Sequence, residues 1–252
     1  MRRSRVIPCM TVLDGDLVKT VNFRAPRYVG DPVNAVKLFN EMEVDELVVI
    51  DIGASRKGVA PDRELIADLA SEAFMPIAYG GGVTSADEAA QLSAIGVEKI
   101  IVDSGAIANP RLVSDIAARL GSSSTVASIS VCRDRRGHAQ VFDPAGRIKI
   151  DRDPVERARE LVELGAGEIM LNDVDRDGSY QGFDTSLIEA VAQAVDVPVI
   201  ACGGAGSVDD LAAGVAAGAS AVAAGSLFMF FSSQRGVLIN YPDEAELAAV
   251  MP

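Results

Sequence analysis

Some features that would point to particular functions are scarce in this sequence. Among 252 residues there is one histidine, His138, and the chain has no long uncharged apolar run. A single histidine and the lack of any histidine–cysteine cluster argue against a metal site, and no motif calls for a cofactor. The absence of a long apolar run argues against a membrane span.

Cysteine and basic residues are also few. The three cysteines, Cys9, Cys132 and Cys202, stand in or beside apolar runs, and their odd number favours reduced thiols in a cytoplasmic protein. The basic start, Met1 to Arg5, lacks the apolar region of a signal peptide. A net charge of −13 argues against nucleic acid as a partner, because binding to it requires a basic face.

What the chain does contain is an internal repeat. Residues 32–104 and 154–226 align with a constant offset of 122: Pro32 matches Pro154, Pro76 matches Pro198, and Ser104 matches Ser226. A fixed offset through four elements indicates duplicated half-domains. The predicted halves are approximately residues 1–122 and 123–252, and no break in composition divides the chain into more than one domain.

Apolar strand-like runs alternate with amphipathic helix-like runs. The predicted strands are near 6–10, 46–52, 76–79, 99–102, 126–131, 168–172, 198–201 and 219–223. The predicted helices are 32–43, 62–73, 86–94, 110–120, 154–164, 187–194 and 208–217. Eight strands, apolar on both faces and separated by helices, predict an α/β fold, a (β/α)8 TIM barrel with internal half-barrel duplication.

Two segments interrupt this alternation. The first βα loop, 13–29, is long and polar, and we expect a mobile lid there. Residues 133–148 predict a hairpin after the fifth strand. In a barrel of this kind the functional residues follow the strands, at their C-terminal ends.

Glycine and small residues follow several predicted strands in both halves. The candidate phosphate-binding residues are Gly81, Gly82, Ser104, Asp177, Gly178, Gly204, Gly225 and Ser226. Glycine lets the backbone approach an anion, and amide groups at a following helix start point towards it. A glycine after a strand often only makes a turn, but two sets related by the repeat predict a phosphorylated small-molecule ligand, with a phosphate at each end.

Further motifs resemble a known family. They are Arg5–Cys9, Asp14-Gly15, Val21–Phe23, Gly30–Pro32, Asp45–Leu47, Gly80–Gly82, Asp175–Gly178 and Gly203–Gly206. Together they look like the cyclase (synthase) subunit of imidazole glycerol phosphate synthase, and the resemblance covers nearly the whole chain. It implies a two-subunit glutamine amidotransferase: a glutaminase docks at the N-terminal face of the barrel, and its ammonia passes to a bis-phosphorylated ribonucleotide at the other face.

The chain departs from that family at the two catalytic positions. The family relies on an aspartate at the end of strand one and another at the end of strand five, and the matching residues here are Thr11 and Ser130. General acid–base catalysis contributes about 10²–10⁴-fold per group, and a hydroxyl cannot replace a carboxylate in that role. Two catalytic candidates remain. Lys19 matches a loop lysine of the family, and Asp103, where the family usually has asparagine, could supply a carboxylate.

The opposite end of the barrel keeps the family pattern. The resemblance implies a ring of four charged residues that gates ammonia entry, and these are Arg5, Glu46, Lys99 and Glu168 here. Each opens a predicted strand, so all four should point into the N-terminal mouth. A salt-bridge plug that closes the barrel would explain the ring equally well, because buried charges need mutual pairing.

Three functions follow from this contrast. The leading hypothesis is a non-cyclising ammonia channel that feeds a third enzyme, an ATP-dependent amidotransferase converting an acetamido to an acetamidino sugar in lipopolysaccharide biosynthesis. Residues 236–242 resemble the relatives found in surface-polysaccharide gene sets. The second hypothesis is an active cyclase (a lyase of histidine biosynthesis) with displaced acid–base groups. The third is a barrel that binds a phosphorylated ligand and activates the glutaminase without chemistry of its own.

Overall fold

Eight parallel strands close into a barrel in the computed structural model, which describes residues 4–231 and 236–250. In chain order they are β1 (Arg5–Leu13), β2 (Leu47–Asp51), β3 (Ile77–Gly80), β4 (Lys99–Val102), β5 (Thr125–Arg133), β6 (Glu168–Asp173), β7 (Val199–Cys202) and β8 (Ala221–Ala224). Pairing of Arg5 with Ala221 brings β8 back to β1 and closes the cylinder. The predicted (β/α)8 barrel is confirmed.

Helices cover the outside of the cylinder. They are Pro32–Glu41, Ala54–Lys57, Arg63–Glu72, Ala86–Ala94, Ser104–Ala108, Arg111–Leu120, Pro154–Glu163, Thr185–Ala192, Val208–Ala216, Ser226–Met229 and Glu244–Val250, with a 3₁₀ turn at Ser122–Ser124. All seven predicted helices are present, with ends shifted by at most two residues. No helix in the described ranges is long and apolar enough to cross a membrane.

Helix starts repeat between the two halves. Asp31 and Asp153 cap helices that begin with proline, and Ser85 and Ser207 each accept a hydrogen bond from an amide three residues later. Side-chain oxygens at these positions satisfy amides that have no partner within the helix. These caps lie 122 residues apart in each case and support the predicted duplication; its boundary near residue 122 stays a prediction.

Two separate apolar clusters stabilise the barrel. The larger lies between strands and helices, and includes Phe39, Ile116 and Phe228. The smaller fills the inside of the barrel and consists of Ile7, Cys9, Val48, Ala78, Ile101, Val126, Met170, Ile200, Cys202, Ala221 and Ala223. Successive side chains of a strand point to opposite faces, which is why alternate residues join each cluster.

The first βα segment, over 13–29, contains strands that the sequence did not predict. It forms a β-hairpin from the strands Asp16–Val21 and Arg24–Gly30, and the first of these pairs with the end of β1. Its role as a mobile lid stays a prediction. At the hairpin tip, the backbone N–H of Asn22 donates a 2.9 Å hydrogen bond to the backbone carbonyl of Asp177. The hairpin therefore packs across the C-terminal mouth, against the loop that follows β6.

The second excursion is a hairpin, as predicted. After β5 the chain forms the strands Ala139–Asp143 and Ile148–Ile150, and it returns to the barrel at Pro154. His138 lies at the start of this excursion with its side chain 75% exposed.

Near the C-terminus, short strands Phe230–Phe231 and Gly236–Val237 pair with each other.

Candidate functional site at the barrel mouths

A cavity of about 130 Å³ opens at the C-terminal ends of the strands. Its walls combine apolar interior residues with polar side chains from several strand ends and from both hairpins. The predicted residues among them are Thr11, Lys19, Gly81, Asp103, Ser104, Ser130, Asp177 and Gly225. The structure thus brings residues of both predicted phosphate sets and all four predicted catalytic positions into one space.

Lys19 lies inside this cavity rather than in solvent. It is 5% exposed, and its Nζ donates a 2.9 Å hydrogen bond to the carbonyl oxygen of Cys9. Gly225 makes this placement possible, because a Cβ atom at that position would stand 2.0 Å from Lys19 Nζ. Lys19 is therefore buried in the cavity wall and is not a solvated loop lysine.

Thr11 and Ser130 face the same cavity from β1 and β5. The hydroxyl of Thr11 donates to the carbonyl of Val18 in the first hairpin. The hydroxyl of Ser130, which is 2% exposed, donates a 2.7 Å hydrogen bond to Oδ2 of Asp103. Both hydroxyls therefore have hydrogen-bond acceptors, but only Ser130 contacts a carboxylate.

Asp103 is the carboxylate that binds the hydroxyl at the second lost catalytic position, Ser130. Its Oδ2 also accepts a 3.1 Å hydrogen bond from Ser128, while its buried Oδ1 has no partner among the described residues. Burial raises the pKa of the Asp103 carboxyl to about 7, although hydrogen bonds from Ser130 and Ser128 oppose the shift. A carboxyl with this pKa can take up or release a proton near neutral pH.

The first predicted phosphate set, Gly81, Gly82 and Ser104, lies on the side of the cavity formed by β3 and β4. Gly81 and Gly82 both have positive φ, and the amide of Gly82 donates a 3.0 Å hydrogen bond to the hydroxyl of Ser55. Ser104 begins the short helix after β4, and its hydroxyl donates a 2.7 Å hydrogen bond to Oδ1 of Asp143.

The second predicted set follows β6, β7 and β8, and two of its members, Asp177 and Gly225, line the cavity. Gly178 and Gly204 have positive φ, and Ser226 begins the short helix after β8. The hydroxyl of Ser226 lies 3.4 Å from where a Cβ atom of Gly178 would stand. Asp177 accepts a 3.1 Å hydrogen bond from the hydroxyl of Thr20, which ties this set to the first hairpin.

At the other end of the barrel, the four predicted gate residues form an alternating ring. Lys99 Nζ lies 3.0 Å from Oε1 and Oε2 of Glu46 and 2.9 Å from Oε2 of Glu168. Arg5 uses its two terminal nitrogens to bind the same two glutamates. We call Arg5, Glu46, Lys99 and Glu168 the entry ring; each acid contacts both bases, so the charges are fully paired.

Burial separates the acids from the bases of the entry ring. Glu46 and Glu168 are 3% and 4% exposed, whereas the side chains of Arg5 and Lys99 are 29% and 20% exposed. Burial alone would lower the pKa of Arg5, but Glu168 and Glu46 reverse this effect and raise it. The bases are therefore the part of the ring that an approaching partner or solute can reach.

Comparison with known proteins places this architecture in a family. The family described as "Histidine biosynthesis protein" matches residues 5–233. A Pseudomonas aeruginosa relative, provisionally named imidazole glycerol phosphate synthase subunit hisF2, is 50% identical over 248 residues, 98% of this chain and 99% of its own length. The chain belongs to the HisF family of imidazole glycerol phosphate synthase subunits.

Other HisF relatives show the same extent of similarity. A Leptospira interrogans protein, also provisionally named as a HisF subunit, is 43% identical over 252 residues, 99% of both chains. The HisF subunit of imidazole glycerol phosphate synthase from Streptomyces griseus is 43% identical over 226 residues, 90% of both chains. The resemblance drawn from the sequence motifs is confirmed.

Some features of this HisF-family site were not predicted. Asp143 and Ser128 did not figure among the candidate residues, yet they bind Ser104 and Asp103. The predicted hairpin after β5 was a usable signal for Asp143. Because β5 pairs with β4, a hairpin that leaves the end of β5 starts near the loop that follows β4. Among residues 4–231 and 236–250, no group of three or more histidine, cysteine or acidic side chains is arranged to hold a metal ion.

The interior below the cavity contains two thiols in contact. Cys9 and Cys202 are both buried and unpaired by disulfides. Their hydrogen bond lowers the pKa of the Cys9 thiol and raises that of Cys202, and the Lys19 ammonium lowers the Cys9 pKa further. Both cysteines lie in the apolar strands β1 and β7, as their sequence neighbourhoods predict.

Proposed function

We propose that this chain is the barrel subunit of a two-subunit glutamine amidotransferase. A glutaminase docks at the N-terminal face, and ammonia enters through the entry ring and passes along the barrel to the C-terminal mouth. The acceptor is a substrate of a third, ATP-dependent amidotransferase that amidates an acetamido sugar in lipopolysaccharide biosynthesis. The observation that carries the proposal is the contrast between a complete entry ring and a mouth without its two aspartates.

The entry ring suits a gate better than a plug. Its acids are buried, but its bases are partly exposed towards the N-terminal face, where a docked subunit would meet them. If Lys99 or Arg5 gave up its contact with one glutamate and bound the partner instead, the ring would open and no charge would be left unpaired. Buried ion pairs contribute little net stability compared with apolar packing, so retention of four charges favours a use beyond folding.

The barrel interior suits the passage of ammonia rather than ammonium. Between the ring and the mouth, the inner side chains are apolar or small, including Val48, Ala78, Ala221 and Ala223. A charged ammonium ion would lose its hydration there at a high cost, whereas neutral ammonia would not. The lining therefore favours transfer of the neutral molecule to the C-terminal mouth.

The C-terminal mouth is poorly equipped for ring closure. Thr11 and Ser130 supply hydroxyls where the family has carboxylates, and each lost acid–base group removes about 10²–10⁴-fold in rate. We propose that the mouth instead binds a phosphorylated ligand and passes ammonia on. Gly178, Gly204, Gly225 and Ser226 are the phosphate-binding residues in this proposal, beside Asp177 and with Lys19 supplying positive charge.

A second candidate, a cyclase with a displaced acid–base group, is favoured by one observation. Asp103 binds Ser130, so its carboxyl lies close to where the second family aspartate would act, and burial raises its pKa to about 7. No carboxylate contact replaces the aspartate at Thr11, whose hydroxyl binds a backbone carbonyl. This candidate predicts turnover with added ammonia that Asp103→Asn abolishes.

The docking proposal is tested by glutamate release. The cognate glutaminase is assayed alone, with the barrel, and with Lys99→Met or Lys37→Met barrels, and complex formation is followed by sedimentation. We expect a stable complex and faster glutamine hydrolysis with the wild-type barrel. Lys99→Met should alter the hydrolysis, whereas Lys37→Met, a change at an exposed helix position, should not. Absence of a complex would contradict the proposal.

A further inference from the structure

Two serines occupy equivalent places in the two halves but differ in their surroundings. Ser104 follows β4 and Ser226 follows β8, 122 residues later, and each is the first residue of a one-turn helix. The residues before them, Asp103 and Gly225, have similar backbone angles. The scaffold therefore offers the same hydroxyl once in each half: Ser104 lines the cavity, and Ser226 directly follows Gly225, which lines it from the other half.

The hydroxyl of Ser104 is already occupied by the protein. It donates to Oδ1 of Asp143 at 2.7 Å and accepts a 3.1 Å hydrogen bond from the amide of Ala145. The other oxygen of Asp143 accepts a 3.1 Å hydrogen bond from the amide of Gly146. A carboxylate of this chain thus uses the donors that a phosphate of a ligand would need.

The hydroxyl of Ser226 has no such partner. The residue is 6% exposed, and its Oγ atom makes no hydrogen bond with any described residue. Its carbonyl accepts a 3.2 Å hydrogen bond from Tyr180, which fixes the backbone and leaves the hydroxyl as a donor. A buried polar group without a partner is costly, so this atom is the expected contact of a bound ligand.

Charge separates the two sides further. Asp143 binds the Ser104 hydroxyl, and Asp103 is near enough to Asp143 for their charges to interact, so a phosphate dianion there would be repelled. The cations that line this side of the cavity, Arg56 and Arg147, are exposed at its rim. Beside Ser226, the residue equivalent to Asp103 is Gly225, and the ammonium of Lys19 lies next to it. This side also carries a carboxylate, Asp177, which accepts a hydrogen bond from Thr20.

We propose that the cavity takes a monophosphate ester, with its phosphate beside Gly225 and Lys19, towards Ser226, Gly178 and Gly204, and a neutral carboxamide or hydroxyl end at Asp103. This inference rests on the proposed phosphate site of the second half and revises the expected bis-phosphorylated ligand. The free Oδ1 of Asp103 accepts a hydrogen bond from the ligand when it is ionised and donates one when it is protonated. The Ser104 side serves to close the cavity and excludes a second phosphate.

A pair of probes that differ by one phosphate tests the inference. Ribulose 5-phosphate and ribulose 1,5-bisphosphate are titrated into the purified barrel by calorimetry, together with inorganic phosphate. We expect one phosphate to bind per chain and the bisphosphate to bind no more tightly than the monophosphate. Two bound phosphates, or a gain of about tenfold or more for the bisphosphate, would overturn the inference. So would the absence of binding by all three probes.

Matched variants locate the site. Ser226→Ala should weaken the binding of ribulose 5-phosphate by about tenfold, because it removes a hydrogen bond to a charged group. Ser104→Ala makes the same change at the equivalent position and should leave the affinity unaltered. Asp103→Asn/Asp143→Asn should create a preference for the bisphosphate. An equal effect of the two serine variants would contradict the assignment.

These outcomes are separate from those that test ammonia transfer. Stoichiometry and affinity are measured on the barrel alone, whereas complex formation and glutamate release require the glutaminase. A barrel that binds two phosphates and still activates the glutaminase would refute the monophosphate inference alone. A barrel that binds one phosphate but forms no complex would refute the docking proposal alone.

Discussion

The two mouths of this barrel have kept different parts of the family pattern. At the N-terminal mouth all four charges are present and each acid binds both bases. At the C-terminal mouth both aspartate positions are hydroxyls, and two further carboxylates, Asp103 and Asp143, stand near the first predicted phosphate set. In the proposed function, this contrast separates the requirements for ammonia entry from those for cyclisation within one scaffold.

The largest expected loss of stability comes from breaking the entry ring. Glu46→Ala removes the carboxylate that both Arg5 and Lys99 contact and leaves two cations with Glu168 alone. Removal of one partner of a buried ion pair costs about 3–5 kcal/mol, and partial exposure of the bases puts this variant at about 3 kcal/mol. Urea unfolding followed by circular dichroism measures the change.

An exposed glutamate provides the control for the ring. Glu72 lies 3.5 Å from Lys37, and both side chains are more than 40% exposed. Glu72→Ala should lower the free energy of unfolding by less than about 1 kcal/mol, because exposed pairs are screened by solvent. If Glu46→Ala and Glu72→Ala lowered the free energy of unfolding equally, the ion pairs of the entry ring would be no stronger than an exposed surface pair.

A smaller loss is expected from a backbone change at the C-terminal mouth. Gly204 has φ +120°, and a Cβ atom there would lie 2.2 Å from the carbonyl oxygen of Gly182. Gly204→Ala should destabilise the protein by about 1–3 kcal/mol, as expected for strained backbone. Gly30→Ala is the control, since Gly30 has no positive φ and no atom within 4 Å of that position. Thermal unfolding of the two variants gives the comparison.

The pH dependence of stability should report on Asp103. Its pKa is raised from 3.8 to about 7, so between these values the folded protein holds one proton more at this site than the unfolded chain. The contribution of Asp103 to the free energy of unfolding therefore falls as pH rises from about 4 to about 7. Asp103→Asn should remove this decline.

The same chemical change at an exposed position controls for the charge. Asp115, on the helix Arg111–Leu120, is exposed, and Asp115→Asn should leave the slope of stability against pH as in the wild type. Chemical denaturation at a series of pH values between 4 and 8 gives both slopes. A wild-type slope retained in Asp103→Asn would show that the buried carboxyl does not titrate in this window.

The smallest loss of stability is expected for Gly225→Ala. The added Cβ would displace the ammonium of Lys19, which is the end of a flexible side chain, so the free energy of unfolding should fall by less than about 1 kcal/mol. Binding of inorganic phosphate should weaken because Lys19 leaves the second phosphate set. Unchanged phosphate affinity would separate Lys19 from the ligand site.

Most of the barrel followed from the sequence because its signals are local. Apolar runs at β1 to β8 and capping residues such as Asp31 and Ser207 each determine the structure of their own neighbourhood. The first hairpin was missed although its turn residues are in the sequence: Asp14-Gly15 joins β1 to the hairpin, and Asn22 stands at the tip, all at positive φ.

The site was only partly predictable for a different reason. The entry ring and the residues after the strands follow from topology and from the family motifs. The bond between Ser104 and Asp143 joins residues 39 positions apart across a hairpin, and the pKa of Asp103 depends on burial by other elements. Such properties appear only when the barrel is closed and the hairpins are packed on it.

One assay tests the separation of the two mouths most directly. The wild-type barrel and the variant Thr11→Asp/Ser130→Asp receive the bis-phosphorylated ribonucleotide of the family with ammonium salt, and loss of the substrate is followed by absorbance. We expect no turnover by the wild-type barrel, while the cognate glutaminase still hydrolyses glutamine in its presence. Turnover by the wild type at an ordinary enzymatic rate would contradict it and would identify a cyclase that works with displaced acid–base groups.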